Sequence, residues 1–566
     1  MSTAVPHMEN KVWLQHYTHG VPETINPDIF SSLPDYFEKA VRDFSDRPIY
    51  TCFGTTLTYQ AVDRLANNIA AFLQQKLGLK KGDRIALMMP NTLQYPVAIM
   101  GALRAGLIVV NVNPLYTAHE LAEQLKDSGA QTIVVLENFA NKVQEALSHT
   151  DIKNIIITKI GDLLGTVKGA VFNVVSRYIK RVIPSYELPQ AFFLQDVLKK
   201  DPSLSFIPVP LQNTDVAFLQ YTGGTTGRAK GAMLSHRNII SNIIQCAVWI
   251  QDVKEQNHGV VLAALPMYHI FSLTVCAFSI FPMGASSLLI PNPRDLPALM
   301  KAMKSIKLTM IIGLNTLFNA MLNHPQMKTV DFSRLRLTIS GGMAMQKPVA
   351  DRWQQVTGIP ILQGYGLTES SPVITLCPVS MTHFTGTIGL PVSSTEVVIR
   401  DEAGNDLAFH EAGEICARGP QVMLGYWHAD RETHQTIDDD GWLHTGDIGY
   451  MDENGFVFIV DRKKDMVLVS GFNVYPNEVE AVLAAHPGVQ TVAVIGVPSE
   501  QTGEALKAFI IKKDPAITPN ELIAFCRKSL TGYKIPKLIE FRDELPLSPV
   551  GKVLRRELRD LEKKET

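Results

Sequence analysis

The chain has little cysteine: six residues in 566, scattered so that no two of them form a Cys-x-x-Cys pair. This argues against a disulfide framework or a structural zinc site and favours free thiols in a reducing compartment. Neither sign of charge dominates, since 53 Lys and Arg stand against 55 Asp and Glu, for a formal net charge of −2. Nucleic-acid-binding proteins carry a basic excess, so nucleic acid is not an expected partner.

Four common catalytic motifs are also missing. The sequence contains no G-x-G-x-x-G, no H-E-x-x-H, no G-x-S-x-G and no G-x-x-x-x-G-K-[ST]. Their absence argues against Rossmann dehydrogenases, zinc peptidases, serine hydrolases and P-loop kinases or GTPases. Residues 1–17 hold no continuous apolar stretch, so a cleaved signal peptide is not expected.

One apolar stretch, residues 259–291, is long enough to span a bilayer. Pro266 and Pro282 interrupt it, which disfavours the transmembrane alternative. A sheet that is covered on both faces gives the same hydropathy. We therefore expect two buried strands, at 260–265 and 286–290, with a buried helix between them.

A chain of 566 residues is too long for a single hydrophobic core, so several domains are expected. The first part alternates strand and helix patterns, which predicts βαβ units around a parallel sheet. The last hundred residues have the pattern of a small α+β unit, and the charged cluster 461–465 precedes it. The expected N-terminal strands lie at 84–89, 107–112 and 132–136, and the helices at 92–105 and 118–128.

Segment 164–183 combines an apolar stripe at helical spacing with basic residues on the other face. One interpretation is a surface helix whose stripe packs on the core. The alternative is a basic amphipathic helix that contacts anionic lipid. The stripe consists of Val171, Val174, Val175, Tyr178, Ile179 and Val182, and the basic residues are Arg177, Lys180 and Arg181.

Segment 221–231, Tyr-Thr-Gly-Gly-Thr-Thr-Gly-Arg-Ala-Lys-Gly, follows a predicted strand at 216–219. Glycines let a backbone approach a ligand closely, and N–H groups, hydroxyls and cations are what a polyphosphate binds. A plain tight turn has a similar composition, so the local pattern leaves both interpretations open. The candidate phosphate-binding residues are Tyr221, Thr222, Gly223, Gly224, Thr225, Thr226, Gly227 and Lys230.

Four further segments accompany this loop in a fixed order. They are Gln-Gly-Tyr-Gly-Leu-Thr-Glu at 363–369, Gly-Trp-Leu-His-Thr-Gly-Asp at 441–447, Asp-Arg-Lys-Lys-Asp at 461–465 and Pro-Val-Gly-Lys at 549–552. The ordered set resembles the adenylate-forming superfamily, which contains acyl-CoA synthetases, firefly luciferase and nonribosomal peptide adenylation domains. Within that group, 440–447 together with 471–478 is most similar to bacterial long-chain fatty-acid–CoA ligases.

The resemblance implies an α/β fold with a large N-terminal domain of sheets and helices and a small mobile α+β C-terminal lid. It assigns residues 1–460 to the AMP- and acyl-binding domain, 461–465 to a hinge and 466–566 to the lid. It implies that a long-chain fatty acid attacks the α-phosphate of ATP, and that coenzyme A then displaces AMP from the acyl-adenylate. ATP and coenzyme A are the implied cosubstrates, and Mg²⁺ is the implied cofactor.

Four residues carry the implied adenylation chemistry. Lys552 would lie between the carboxylate and the α-phosphate; the alternative is an ordinary tail lysine. Thr368 would contact phosphate and Glu369 would bind Mg²⁺, although a helix N-cap with an acidic first turn has the same sequence. His269 matches an aromatic-flanked motif near the substrate carboxylate, or else is a core histidine.

The resemblance also assigns nucleotide and coenzyme A contacts. Asp447 would accept both ribose hydroxyls, Arg462 would be the second ribose contact, and Lys464 would be the hinge position. Ser470, Gly471 and Lys534 would contact coenzyme A, with Lys534 assigned from charge and position. The adenine slot would be lined by Gly341, Gly342, Met343, Gly364, Tyr365 and Gly366.

Several alternatives stay open. No carrier domain follows Lys552, so a diffusible thiol is expected as the acceptor. The rival functions are an aryl or shorter-chain carboxylic acid–CoA ligase, a luciferase-type monooxygenase, and a lipid-binding protein that has lost catalysis. The basic segment and an insoluble substrate predict a cytoplasmic enzyme peripherally associated with the inner membrane. A homodimer is an open option, because relatives include dimers.

Overall fold

The structure is a computed structural model that describes residues 11–222, 229–251, 258–499, 501–548 and 551–565. In this part of the chain the strands form four sheets. The largest has nine strands and is parallel in its centre, with antiparallel strands at both edges. Its order is Leu390–Pro391, Val373–Leu376, Ile361–Gly366, Leu337–Ser340, Met310–Gly313, Val260–Ala263, Ser286–Leu289, Pro48–Cys52 and Thr55–Thr58.

The second sheet has seven strands and is parallel apart from its last pair, Val216–Thr222 and Lys230–Ser235. It confirms the predicted alternation of strands and helices in the N-terminal part. Helix Ala118–Ser128, for example, begins with a capping box between Thr117 and Glu120 and ends at Gly129 with φ +63°. The strand order is Phe192–Phe193, Asn154–Thr158, Thr132–Leu136, Arg84–Met88, Ile108–Asn111, Val216–Thr222 and Lys230–Ser235.

Helices cover both large sheets, and one shared core lies between them. The long helices that contribute to that core include Leu33–Phe44, Tyr59–Ala71, Gln94–Arg104 and His236–Trp249. The other face of the nine-stranded sheet packs against Leu296–Lys304, Asn315–Asn323 and Lys347–Thr357, and that of the seven-stranded sheet against Ala118–Ser128 and Ala140–Ala146. The further α-helices are Thr166–Val174, Leu194–Val197, Ile270–Ser272, Asp430–Thr436, Pro476–Ala484, Pro519–Cys526 and Arg555–Glu565.

Shorter helical turns complete the described elements. π-helical turns continue three of the α-helices, at Phe72–Lys76, Val175–Ile179 and Leu273–Phe278. The 3₁₀ turns are Val12–His16, Pro27–Ile29, Glu137–Phe139, Leu147–His149, Phe281–Met283, Pro325–Thr329, Thr368–Ser370, Lys463–Asp465 and Gly532–Lys534.

The apolar stretch 259–291 forms two neighbouring buried strands of the nine-stranded sheet, as predicted. In Val260–Ala263, Val261 and Ala263 face the core between the sheets, and Val260 and Leu262 face the core on the opposite side. A strand that alternates between two cores has no polar face, which explains the continuous hydropathy. Among the described residues, no helix has both the length and the apolar character needed to cross a membrane.

The two remaining sheets follow the large sheets in sequence. An antiparallel sheet joins Glu396–Arg400, Gly413–Arg418, Leu443–Met451 and Val457–Arg462. After it comes a five-stranded sheet of Phe472–Val474, Val467–Val469, Gly503–Lys512, Val489–Ser499 and Leu538–Phe541. That sheet has its own core with helices Pro476–Ala484 and Pro519–Cys526. The domain boundaries at 460 and 466 stay a prediction.

The interpretation of 164–183 as a helix whose apolar stripe packs on the core is wrong. Val171, Val174 and Tyr178 are 54%, 51% and 69% exposed. The helix Thr166–Val174 instead packs through Gly169, whose carbonyl lies so close to Gly161 that a Cβ there would come within 2.2 Å of it. The stripe therefore faces outward, and other residues seat this helix: Gly169 contacts Gly161, and Phe172 packs against the core and the ring of Phe53.

Candidate active site

A cavity of about 680 Å³ lies at the carboxyl ends of parallel strands in the nine-stranded sheet. Leu265, Leu314 and Gly341 line it, and each follows directly or closely on one of those strands. This edge is where open α/β sheets bind ligands, and the volume lies in the range of small-molecule sites. The antiparallel sheet and the C-terminal part contribute the rest of the wall.

The lining falls into two chemical groups. The polar group holds most of the residues predicted for nucleotide binding and adenylation, together with the predicted hinge residue Lys464: Thr222, Lys230, His269, Gly341, Gly342, Gly364, Tyr365, Gly366, Thr368, Glu369, Asp447, Arg462 and Lys552. The apolar group includes Cys246, Ile250, Leu265, Ile270, Phe271, Val275, Met283, Met310, Ile312 and Ile339. One cavity therefore combines a cationic, hydrogen-bonding part with an apolar part.

Two adjacent strands bring Asp447 and Arg462 together, because these residues pair directly across the antiparallel sheet. The Arg462 Nε lies 3.2 Å from Asp447 Oδ1. On the other side, the Tyr365 hydroxyl donates to Asp447 Oδ2 at 2.7 Å. Burial and the nearby Asp447 charge raise the pKa of Tyr365 well above its usual value, so the phenol keeps its proton and donates. The carboxylate is held in one orientation at the cavity wall.

Lys552 reaches this group from the end of the chain. The carbonyl of Gly551 accepts a hydrogen bond from Thr316 Oγ1 at 3.0 Å, which ties the segment to helix Asn315–Asn323. Gly551 has φ +86°, a conformation that favours glycine. Burial, reinforced by the charge of Arg462 and opposed by that of Asp447, lowers the pKa of Lys552 to about 7. The lysine is thus a half-buried amine whose proton is held weakly, in a pocket that already holds an arginine.

His269 also lines the cavity and is uncharged at neutral pH. Burial, together with the positive charge of Lys552, lowers the pKa of His269 to about 4. Its Nδ1 accepts a hydrogen bond from the backbone N–H of Phe271 at 3.3 Å, so the proton of the neutral ring is on Nε2. The ring therefore offers one neutral donor to the cavity region that Lys552 also enters.

Glu369 lies in the 3₁₀ turn Thr368–Ser370, and its side chain is held by a tyrosine. The hydroxyl of Tyr426 donates to Glu369 Oε1 at 2.6 Å. Lys230 Nζ lies 5.3 Å from the centre of the same ring, a cation–π distance. The described residues contain no group of three or more His, Cys, Asp or Glu side chains arranged to hold a metal ion. A single carboxylate fits Mg²⁺ when substrate phosphates and water supply the other ligands.

The predicted phosphate loop is only partly described. Thr222 and Lys230 pair across the hairpin that flanks it, and both line the cavity. Gly223, Gly224, Thr225, Thr226 and Gly227 lie outside the described residues.

Two residues predicted for the nucleotide site are not among those that line the cavity. The hydroxyl of Tyr221 donates instead to Asp127 Oδ2 at 2.7 Å. Met343 packs at the edge of the core between the sheets. Successive side chains of a strand point to opposite faces of the sheet. Because Thr222 faces the cavity, its neighbour Tyr221 in the same strand faces away from it.

The predicted coenzyme A contacts also lie outside the cavity lining. Ser470 and Gly471 form an exposed turn with φ values of +51° and +84°. Lys534 makes an ion pair with Glu478 at 2.8 Å. Lys464 differs from these three, since it lines the cavity, where partial desolvation and the charge of Arg462 lower its pKa.

Sequence reasoning missed several residues that line the cavity. Tyr426 holds Glu369, as described above, and Glu414 Oε1 accepts a hydrogen bond from the backbone N–H of Gly446 at 2.9 Å, next to Asp447. A lone Glu in a strand carries no local signal of a site. Its pairing with the strand Leu443–Met451 would have been the signal, and that pairing exists only in the folded sheet.

Two family models match this chain. The model described as AMP-binding enzyme matches residues 37–427, more than half of the chain, and the model described as AMP-binding enzyme C-terminal domain matches residues 478–552. The chain belongs to the AMP-binding enzyme family. The predicted recognition and the predicted α/β fold class, with a large N-terminal and a small C-terminal part, are confirmed for this AMP-binding enzyme.

Individual relatives match this AMP-binding enzyme over nearly its whole length. It is 52% identical to the long-chain-fatty-acid–CoA ligase of Escherichia coli O157:H7, over 97% of this chain and 98% of the relative. The long-chain-fatty-acid–CoA ligase of Yersinia pestis is also 52% identical, over 98% of both chains. Among solved structures, the ATP-bound MatB of Rhodopseudomonas palustris is similar with a TM-score of 0.80 at 27% identity, covering 94% of this chain and 99% of that one.

Proposed function

We propose that this AMP-binding enzyme is a long-chain fatty-acid–CoA ligase that works through an acyl-adenylate and releases AMP and pyrophosphate. One observation carries the proposal: the cations Lys552 and Arg462 meet at the polar part of a cavity whose other part is apolar. The predicted activity agrees with that of the relatives at 52% identity, which are named long-chain-fatty-acid–CoA ligases.

The first half-reaction is an electrostatic problem. A fatty carboxylate, already ionised at neutral pH, must approach a polyanionic nucleotide, so the site must supply positive charge and hydrogen-bond donors. Lys552, Arg462, Lys464 and Lys230 line one cavity and supply that charge. The carboxylate oxygen forms a bond to the α-phosphorus as the bond to pyrophosphate breaks, and no proton has to move. No general base is therefore required in this step.

In this scheme Asp447 binds the ribose. Its Oδ2 already accepts from Tyr365 and its Oδ1 lies beside Arg462, and each oxygen retains a second acceptor site for a hydroxyl. Lys552 lies between the incoming carboxylate and the α-phosphate. Thr222, Lys230 and Thr368 face the outer phosphates. These roles are supported by their shared cavity and by the order of the motifs that carry them.

Glu369 would hold the Mg²⁺ that accompanies ATP. When bound, the ion shields the charge that develops on the phosphates during their displacement. Tyr426 keeps Oε1 of this carboxylate in place through a charge-assisted hydrogen bond, so the ligand is oriented before the ion arrives.

The apolar part of the cavity would hold the acyl chain. Each buried methylene contributes about 0.8 kcal/mol, so an extended apolar lining favours long chains over short ones. Neutral His269, at the region that Lys552 enters, would donate from Nε2 to the substrate carboxylate without adding charge.

The second half-reaction requires another arrangement of the C-terminal part. The thiol of coenzyme A, after losing its proton to water, would attack the acyl carbon and release AMP. Ser470, Gly471 and Lys534 are supplied by the unit that follows Lys464, and they do not line the cavity here. We propose that rotation at Lys464 exchanges Lys552 for these residues between the two half-reactions.

An exchange assay tests the function. Purified protein with ATP and Mg²⁺ should exchange labelled pyrophosphate into ATP when saturated fatty acids are supplied, with kcat/KM rising with chain length. A preference for benzoate, coumarate or short acids would replace the long-chain assignment with the aryl or short-chain alternative. Absence of exchange with any acid would remove the ligase proposal.

We also propose that the exposed apolar side chains of segment 166–182 contact the cytoplasmic membrane. Six apolar side chains there are about half exposed or more: Val167, Val171, Val174, Tyr178, Ile179 and Val182. Lys180 and Arg181 follow the helix and are exposed. Apolar side chains flanked by basic ones fit the interface of an anionic bilayer, which is also where long-chain acids partition.

Vesicle binding tests this surface. Arg177 pairs with the buried Glu137, so it should be left intact in the variants. We expect Val171→Ser with Val174→Ser, and separately Lys180→Glu with Arg181→Glu, to reduce co-sedimentation with anionic phosphatidylglycerol vesicles. Val356→Ser is the matched control, since Val356 is 45% exposed on another helix. Unchanged binding in both double variants would contradict the proposal.

A further inference from the structure

Asp461 is a fully buried carboxylate that is not among the residues lining the cavity. Its Oδ1 accepts from Arg555 Nη1 at 3.0 Å and from the backbone N–H of Arg462 at 2.8 Å. Its Oδ2 accepts from the backbone N–H of Asn477 at 2.8 Å. The side chain is therefore bonded to chain segments on both sides of Lys464, the proposed hinge.

Arg555 lies three residues after Lys552, at the start of helix Arg555–Glu565. Besides Asp461, its guanidinium contacts Glu480 through Nη2 at 2.8 Å and Asp465 through Nη1 at 3.4 Å. A buried charge that loses a partner is strongly destabilised, so these contacts determine where the guanidinium lies. Because so few residues separate Arg555 from Lys552, they also restrict where the lysine lies.

The ion pairs that Arg555 and Arg559 make with these carboxylates are of two kinds. One kind crosses the proposed hinge at Lys464, and the other lies entirely on its C-terminal side. The Asp461–Arg555 pair joins the strand Val457–Arg462, which precedes Lys464, to the C-terminal part. The pair between Arg559 Nη2 and Asp465 Oδ1, at 2.8 Å, lies within the C-terminal part. A rotation at Lys464 would break the first pair and leave the second intact.

We infer that Asp461 is a positioning residue for adenylation: through Arg555 it holds Lys552 in the cavity, and it has no such role in thioester formation. The inference rests on the proposed function and on its hinge. A carboxylate that is not among the residues lining the cavity would thus support one half-reaction, adenylation, and not the other. The Thr316 contact to Gly551 restrains the same segment from the other side.

The test measures both half-reactions in the full-length enzyme. Asp461→Asn keeps the shape of the side chain and an acceptor oxygen, but removes the charge that Arg555 faces. Adenylation is measured as pyrophosphate exchange with palmitate, and thioester formation as palmitoyl-CoA release from preformed palmitoyl-adenylate. Arg559→Met is the matched control, since it removes an ion pair from the same acidic cluster without crossing Lys464.

A hydrogen bond to a charged partner stabilises the arrangement that contains it, by an amount that corresponds to about tenfold or more in rate. We therefore expect Asp461→Asn to lower pyrophosphate exchange about tenfold or more. Thioester formation should stay within about twofold of the unmodified enzyme or rise, because the broken contact belongs to the other arrangement. Arg559→Met should leave the ratio of the two rates unchanged. Asp461→Glu, which restores the charge, should recover part of the exchange activity.

Three results would overturn the inference: an unchanged ratio of the two rates in Asp461→Asn, which includes an equal loss of both; no recovery of exchange in Asp461→Glu; or an equal change of that ratio in Arg559→Met. Failure of the proposed function is distinguishable, because the unmodified enzyme would then show no exchange. Failure of the hinge alone would leave the unmodified enzyme active, with Asp461→Asn and Arg559→Met behaving alike.

Discussion

The half-buried ammonium of Lys552 makes adenylation depend on pH in a definite direction. A pKa lowered from 10.5 to about 7 means that the cavity destabilises the charged form by about 5 kcal/mol relative to water. The protonated lysine is the form that attracts carboxylate and phosphate, so the competent free enzyme predominates below pH 7 and declines above it. Bound ATP opposes this, since unit charges 4 Å apart attract by about 4 kcal/mol at an effective dielectric constant of 20.

The assay is pyrophosphate exchange between pH 6 and 9, with coenzyme A omitted so that its thiol does not titrate. We expect kcat/KM for ATP to be level up to about pH 7 and then to fall about tenfold per pH unit, because this parameter reports the free enzyme. The corresponding fall in kcat should appear at higher pH, where bound anions keep the lysine protonated. Lys552→Arg, whose guanidinium stays charged, should abolish the fall near pH 7.

Binding provides a readout that does not depend on turnover. The dissociation constant for ATP should rise between pH 7 and 9 in the unmodified enzyme and stay level in Lys552→Met. Lys552→Ala should abolish exchange while preserving thioester formation from preformed acyl-adenylate. The reasoning is refuted if Lys552→Arg keeps the same fall near pH 7, or if ATP binding to Lys552→Met keeps the pH dependence of the unmodified enzyme.

Two other substitutions follow from the geometry of the cavity. Tyr426→Phe removes the hydrogen bond to Glu369 and should raise the Mg²⁺ concentration needed for half-maximal exchange, while a changed fatty-acid KM at saturating Mg²⁺ would contradict it. Val275→Phe places a larger side chain in the apolar part of the cavity. For the longest acids it should lower kcat/KM about fourfold for each methylene that no longer fits. An equal loss for short and long acids would argue against the acyl assignment.

Much of the fold follows from local pattern. The strand Thr132–Leu136 and the helix Ala118–Ser128 have the bounds that hydrophobic spacing and capping residues predict. The apolar stretch 259–291 was expected to form buried strands because prolines interrupt it, and it does. Such elements are predictable because their hydrophobic periodicity and their end residues are both local properties of the chain.

The site was predictable where motifs carry it. Glu369, Asp447 and Lys552 come from segments far apart in sequence, and the structure places all three in one cavity. Tyr426 and Glu414 were missed, because their importance lies in a hydrogen bond to a residue that only folding brings near.

The amino-acid sequence by itself determined the family, the alternation of strands and helices, and the set of charged residues that a nucleotide site needs. Only the tertiary structure decided that the apolar side chains of segment 166–182 face outward. It also decided that Asp461 forms hydrogen bonds with residues beyond the proposed hinge. Both depend on which surfaces meet, and contact between segments far apart in sequence leaves no periodic signal along the chain. Tertiary packing also determines the unusual pKa of Lys552, because burial and the charge of Arg462 act on it only in the assembled cavity.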